Sequence, residues 1–510
     1  MEKIQRRIFF WTLVVSFFII TPAVVLTAWG YRLDFQRGVF VRSGSINLKT
    51  NPQDFNLYIN GKLQPSKQLN RVNNSYNISG LLPKNYDLTI SADGFQTWKK
   101  TIEVNSGISS EFWNVLLARN NYARTPYATG GAEKFFVSPK NDYVAIASSD
   151  DSGTTVKIMK ISDKTISNTF SLSGWQFIDD ARQENIEWSP NGDNISIPVQ
   201  KTTTTATPAK PASAQNNAAQ TETSYAYFVG DPATGNSFNL DDQLGKNDLR
   251  NVRWDPKDKN YLFFLSGNSL YRANISDAAD ITTVADNVSS FDLSKTGVYY
   301  AQMPNELVFR TDLDGKSNLT QITNEFPDQL SSPNAKLIVF DDMRIAFLNS
   351  NNDLYIFNRG DLDTYFKKLG SDVNGMQFSN DGKKLLFWTN NEISVYFTRQ
   401  WGVQPTRNED ETQDITRYAD PLSNVQWFKD YEHVIFSTGP YVKVIELDAR
   451  DHRTSMDLVK TATNAPFVIY DDSLERLFFT DTQNNVSDIY SIVFPEPGGF
   501  LGIFPPPAQQ

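Results

Sequence analysis

Only two histidines, His433 and His452, stand in this chain of 510 residues, and there is no cysteine. The lack of thiols excludes disulfides, thiolate nucleophiles, zinc–thiolate sites and iron–sulfur clusters. A histidine metal site needs further ligands, and neither imidazole has a neighbour at His-x-x-x-His spacing. Both read as ordinary surface or core side chains. Asp312-x-Asp314-Gly315 resembles the start of a calcium loop, but Lys316 stands where oxygen ligands would continue, so a strand-connecting turn is expected. The acidic pairs Asp179-Asp180, Asp341-Asp342 and Asp471-Asp472 also fall at turns. Adjacent strand residues point to opposite faces, which makes such pairs poor acid–base couples. No Gly-x-Ser-x-Gly elbow and no Walker-type phosphate loop occurs. No catalytic, metal or cofactor-binding residue is therefore assigned. No cofactor is expected, and the ligand-binding residues stay unassigned.

The elements around these residues are expected to be strands. Aromatic residues make up 13% of the chain, with 35 Phe, 21 Tyr and 10 Trp, and flat side chains suit a pleated, half-buried surface. The length implies more than one folding unit. The formal charge is −10, so phosphate counterion release would not help binding, and nucleic acid is not expected as a partner.

Residues 1–7 carry Lys3, Arg6 and Arg7 against Glu2, and residues 8–29 carry no charge. A 22-residue helix spans about 33 Å, enough for a hydrocarbon core of about 30 Å. The basic cluster places the N-terminus in the cytoplasm and the rest outside. Trp11, Trp29 and Tyr31 fall near the two membrane interfaces. A cleaved signal peptide is the competing reading; its apolar stretch would usually be shorter.

Residues 43–118 read as a small antiparallel sandwich. Ser45–Thr50 and Phe55–Ile59 alternate in period two, and Asn60-Gly61 is a strong hairpin signal. Tyr86–Ser91 and Thr97–Val104 follow, joined at Asp93-Gly94. Leu57, Ile59, Leu88, Ile90, Phe95, Ile102 and Val104 form the expected core. This order resembles the PEGA domain, a small β module. Pro52 keeps one residue of the naming tetrad, and Asn60-Gly61, Pro83-Lys84-Asn85 and Gly94-Phe95 follow in the family's order. Asn85 stands where the family has a turn glycine and is expected in the left-handed region. The resemblance implies a non-catalytic, extracytoplasmic structural module.

Residues 120–495 repeat a turn signature about every 40–50 residues, with one wider gap of about 65. It stands as Phe136-Val137-Ser138-Pro139, Trp188-Ser189-Pro190-Asn191-Gly192, Trp254-Asp255-Pro256 and Phe291-Asp292-Leu293-Ser294. It returns as Ser331-Ser332-Pro333, Phe378-Ser379-Asn380-Asp381-Gly382, Trp427-Phe428-Lys429-Asp430 and Tyr470-Asp471-Asp472-Ser473. That period with several strands per repeat reads as a β-propeller. Proline and Asn/Asp-Gly set the turn, and the preceding aromatic fills the space between blades. The signature resembles the TolB-type, WD-like propeller repeat, supported by Asp312–Gly315 followed by Leu319-Thr320. The resemblance implies a rigid scaffold that binds partners on its loops or in its central channel. Eight signatures imply eight blades, with seven as the alternative. The last repeat lacks a fourth strand, which the residues before Ala132 are expected to supply. Residues 201–223, rich in Thr, Ala and Pro, read as a disordered insertion. Residues 496–510 read as a Pro-rich tail.

The fold class expected is all-β with one transmembrane helix: a PEGA-like sandwich, then a seven- or eight-bladed propeller. The function expected is non-catalytic, membrane-anchored binding or scaffolding in the bacterial cell envelope. The helix over residues 8–29 would hold the membrane, and the propeller would take an envelope protein, peptide or glycan. A propeller hydrolase or lyase acting on envelope polysaccharide, and a purely structural envelope component, are the alternatives.

Overall fold

Among the described residues, thirty-three of the forty-three strands belong to one repeated pattern of antiparallel sheets. The computed structural model describes residues 3–65, 69–70, 75–128, 131–178, 186–205, 220–324, 336–483 and 486–496. Among these, residues 125–493 form eight sheets that follow one another along the chain. Seven have four strands; the second has five, because two short strands share its edge. First strands of successive sheets touch, as Val288–Leu293 touches Lys336–Asp341 and Leu422–Trp427 touches Val468–Asp471. Sheets stacked side by side through their first strands make a β-propeller. Thr125–Ala128 pairs antiparallel with Val486–Val493, so the chain's early strand completes its last sheet. This covers an edge that would otherwise offer free backbone groups. It is the closure expected from the missing fourth strand.

The repeat's turn chemistry sets the local geometry. In the second sheet, Gly192 has φ +76°, and in the sixth Gly382 has φ +66°. Both positions favour a residue without Cβ. The preceding serine ties the turn: Ser189 Oγ accepts from Asn194 N at 3.0 Å, and Ser379 Oγ accepts from Lys384 N at 3.0 Å.

The expected disordered insertion is corrected at both ends. Ile195–Thr205 and Gln220–Gly230 pair through eleven positions, from Ile195↔Gly230 to Thr205↔Gln220. Residues 201–205 and 220–223 are thus strand, because β-branched threonines suit a paired ribbon despite their polarity. Residues 206–219, Asp179-Asp180, the signature at Ser331–Pro333 and residues 497–510 of the tail lie outside the described residues. A five-residue helix, Leu240–Leu244, also departs from the all-β expectation; Asn239 caps it, accepting from Asp241 N and Asp242 N.

Residues 44–116 form two packed sheets. One runs Ser109–Leu116, Gly44–Asn51, Ser75–Leu81, Leu69–Asn70; the other runs Lys62–Leu63, Asn56–Ile59, Lys84–Ser91, Trp98–Val104. Asn60 and Gly61 have φ of 49° and 75°, the left-handed pair a tight hairpin needs. Six of the seven expected core residues are buried, with Phe95 half-buried at the rim. Two expectations are corrected. Ser109–Leu116 pairs parallel with Gly44–Asn51, so the sandwich is not wholly antiparallel. Asn85 is in a strand, paired with Glu103, and takes no left-handed turn.

The N-terminal helix runs Lys3–Ala28 and is long and apolar enough to cross a membrane. Its apolar side chains are exposed along most of its length.

Candidate functional site

The propeller's first strands carry a repeated latch built from the signature aromatic and the residue before it. Trp188 Nε1 donates to the carbonyl of Phe136, Trp254 Nε1 to that of Glu187, and Trp427 Nε1 to that of Gln377, each at 3.1 Å. Each indole thus crosses to the first strand of the preceding sheet. A large ring fills the gap and its single N–H is satisfied there. The glutamines repeat the pattern in reverse. Gln426 Oε1 accepts from Tyr470 N at 2.8 Å, and its Nε2 donates to Val468 O at 3.2 Å, bridging the seventh sheet to the eighth.

Three charged residues at related positions form a chain across the second, third and fourth sheets. Arg253 Nε lies 3.2 Å from Glu187 Oε1, and Arg253 Nη1 lies 2.7 Å from Asp292 Oδ1. The remaining Asp292 oxygen accepts from Val339 N of the fifth sheet at 2.8 Å. Burial raises the pKa of Glu187, while Arg253 opposes that shift. Burial also acts against the charge on Arg253, but Glu187 and Asp292 outweigh it and hold the guanidinium protonated. Both carboxylates face one arginine.

A groove of about 290 Å³ opens where the sixth, seventh and eighth sheets meet. Phe378, Trp427, Phe428 and Tyr431 give it aromatic walls, and Gln377, Asn380, Gln426 and Asp472 give it polar ones. Tyr431 has φ +53°, an unusual state for a bulky residue, and its ring meets Trp427 edge-on at 5.8 Å. Tyr470 lines the same groove. The residue is 9% exposed, and among the described residues its hydroxyl has no hydrogen-bond partner. Burial, with Glu475, Asp472, Asp430 and Asp471 nearby, pushes its pKa far upward, so the hydroxyl stays a donor. A buried donor without an acceptor is costly unless something else supplies one.

The sandwich meets the propeller along a charged seam. Lys100, with a fully buried side chain, lies 2.9 Å from Glu446 Oε1 and donates to the carbonyls of Asp448 at 2.8 Å and Arg450 at 3.0 Å, and to that of His452. Trp98 Nε1 donates to Glu446 Oε2 at 3.1 Å. Arg450 stacks over the Phe112 ring at 3.8 Å and pairs with Asp448 at 2.6 Å. A cavity of about 30 Å³ beside these groups has room for a water.

The two histidines take different places. His433 is buried in the seventh sheet, with Nδ1 2.8 Å from Asp430 Oδ2 and its ring edge-on to Phe428. His452 is exposed, with Nδ1 3.0 Å from Asp451 Oδ2. Among the described residues, no three His, Asp or Glu side chains are grouped to hold a metal ion. The acidic motifs are turn ties. Asp314 Oδ1 accepts from Lys316 N and Ser317 N, both at 2.8 Å, and these bonds with the Ser317 hydroxyl lower its pKa to about 2. Asp341 and Asp471 accept backbone N–H groups two residues on at 3.0 Å. Sequence reading missed Gln377, Gln426, Tyr470 as a groove residue, and Lys100. The polar residue just before the signature aromatics Trp188, Trp254, Phe291, Phe378 and Trp427 was the available signal for the first two.

No family model matches the chain, and no curated protein matches it. Solved structures similar to it include a eukaryotic initiation factor, at 12% identity and TM-score 0.44 over 74% of this chain and 90% of that one. The Dos1 propeller aligns at 11% identity and TM-score 0.45, over 72% and 94% of the two chains. BamB from Moraxella catarrhalis aligns at 10% identity and TM-score 0.41, over 72% and 100%.

Proposed function

We propose that this chain is a non-catalytic binding or scaffolding protein of the cell envelope, anchored in the membrane by its N-terminal helix. Lys3, Arg6 and Arg7 precede the apolar stretch and favour a cytoplasmic N-terminus, with the sandwich and propeller outside. The eight sheets are read as eight blades, and the sandwich as a PEGA-like module. The net charge of −10 speaks against a nucleic acid and leaves an envelope protein, peptide or glycan as partner.

The observation that carries the binding reading is the groove containing Tyr470. It joins aromatic walls, carboxamides and a carboxylate, the mixture that fixes a ligand's orientation. The pairing of Glu187 and Asp292 with Arg253 weighs against a hydrolase or lyase at the first strands.

A photo-crosslinking residue at Asn380 in intact cells, followed by mass spectrometry, tests this. The expected outcome is a distinct adduct that is absent when the probe sits at Leu362, an exposed site away from the groove. Asp472→Ala should weaken capture by roughly fivefold, the worth of one hydrogen bond. Identical adducts from both sites, or no effect of Asp472→Ala, would overturn the reading.

A further inference from the structure

Residues 31–42 belong to neither the sandwich nor the propeller. Tyr31–Asp34 and Val39–Arg42 pair as a two-stranded ribbon, directly after the helix Lys3–Ala28. Among the described residues, no third strand joins them. Such a ribbon is marginal in water unless something covers it. This one leaves apolar groups open: Phe35 at the tip is 86% exposed, Val39 48% and Phe40 41%. Trp29, where the helix ends, is 69% exposed. Leu33 and Phe40 are cross-strand partners and share a face. The ribbon's charge is basic, with Arg32, Arg37 and Arg42 against Asp34.

The ribbon's base is fixed while its tip is free. Ser43 donates to the Gly30 carbonyl through its N–H at 2.8 Å and its hydroxyl at 2.7 Å. Ser106 Oγ donates to Arg42 O at 3.0 Å. The Arg32 guanidinium packs over Gly80 and the Arg42 side chain over Gly107; a Cβ at either glycine would meet them at about 3 Å. Both the helix end and the sandwich therefore hold the base.

We propose that the ribbon Tyr31–Arg42 lies on the outer surface of the bilayer that the helix crosses, with Phe35 and Phe40 among the headgroups and Arg37 on lipid phosphate. This rests on the anchor reading. Four residues of strand reach about 13 Å, and the headgroup layer is roughly 5–7 Å deep on each side, so the tip stays among the headgroups when the ribbon lies along the surface and leaves them when it projects outward. Aromatic rings favour that depth, and arginine can extend its head to the phosphates while its stem stays apolar. A second anchoring point beside the helix would fix the tilt and rotation of everything beyond it.

The cysteine-free sequence allows a test without background labelling. Full-length protein carrying Phe18→Cys, Phe35→Cys or Leu362→Cys is labelled with an environment-sensitive fluorophore. It is then reconstituted in phosphatidylcholine–phosphatidylglycerol vesicles with or without doxyl lipids. Gln36→Cys repeats the tip measurement with Phe35 intact. Position 35 should show blue-shifted emission and about threefold more quenching by shallow doxyl lipid than position 362. Position 18 should be quenched by deep doxyl lipid. Quenching at 18 but a water-like signal at 35 and 36 would overturn the ribbon proposal and leave the anchor standing. No quenching at 18 would overturn the anchor itself. A blue shift at 35 without lipid quenching would mean that protein covers the tip, and would overturn the proposal too.

Discussion

His433 shows how one residue acquires a consequence that its type alone does not carry. Burial acts to lower its pKa, but Asp430 at 2.8 Å, with Glu446 and Glu432 nearby, raises it above the ordinary 6.5. The folded chain therefore holds this proton more tightly than the unfolded one. Its stabilising contribution is complete below about pH 6.5 and disappears as pH rises through the folded value. Asp430 has the opposite sign: burial raises its pKa, but His433 outweighs that and lowers it, so its contribution exists above the unfolded value and fades in acid. Urea unfolding at about pH 6 and about pH 8.5 should show a larger loss of stability in the wild type than in His433→Gln. Equal losses would mean that folding leaves the ring's pKa unchanged, and a smaller loss in the wild type would mean that the folded chain holds the ring neutral.

At the scale of elements, the latching tryptophans can be ranked. Trp427→Phe keeps the ring's bulk but leaves Gln377 O without the indole, at a cost of about 1–2 kcal/mol. Trp254→Phe should cost less, because Glu187 O still accepts from the Ser196 hydroxyl at 3.1 Å. Chemical denaturation of the two variants checks the order, and the reverse order would mean that the hydrogen bond is not what these rings contribute. The aromatic-plus-turn signature was legible in the sequence because its chemistry is local: Ser189, Asn191 and Gly192 bond within their own turn. The closing strand Thr125–Ala128 was legible through the last repeat's deficit. Ser75–Leu81 and Ser109–Leu116 were not picked out, since Ser, Asn and Gly dilute their alternation. The polar ribbon beyond Gln200 was also misread, because composition alone does not register pairing across a hairpin. The groove is long-range, joining residues 377, 426 and 470, and no local pattern announces it.

At the scale of the whole molecule, the sandwich is not a free spacer. Its core residues, from Ile46 to Ala118, form one cluster with Phe428, Ile435, Val442, Val444, Leu458 and Leu477 of the propeller. Gln96 Nε2 donates to Asp457 O at 2.7 Å, and Asn51 Nδ2 donates to Glu496 O at 2.9 Å. Lys100 sits at the centre of this seam, where its charge is tolerable only because Glu446 and three carbonyls surround it. Two units that share a dry core and a buried ion pair should open together. Hydrogen exchange in rising urea should therefore release the amides of Leu57 and Ile90 at the same denaturant concentration as those of Val442 and Val444. Lys100→Met would leave Glu446 and those carbonyls uncompensated and should lower both sets together by about 3 kcal/mol. If the sandwich amides exchanged first in the wild type, the seam would be a docking contact rather than a core. The propeller could then swivel against its anchor. If the release is joint, the sandwich and the propeller form one unit, and the groove at Tyr470 is held at a fixed bearing to the ribbon base that the sandwich grips.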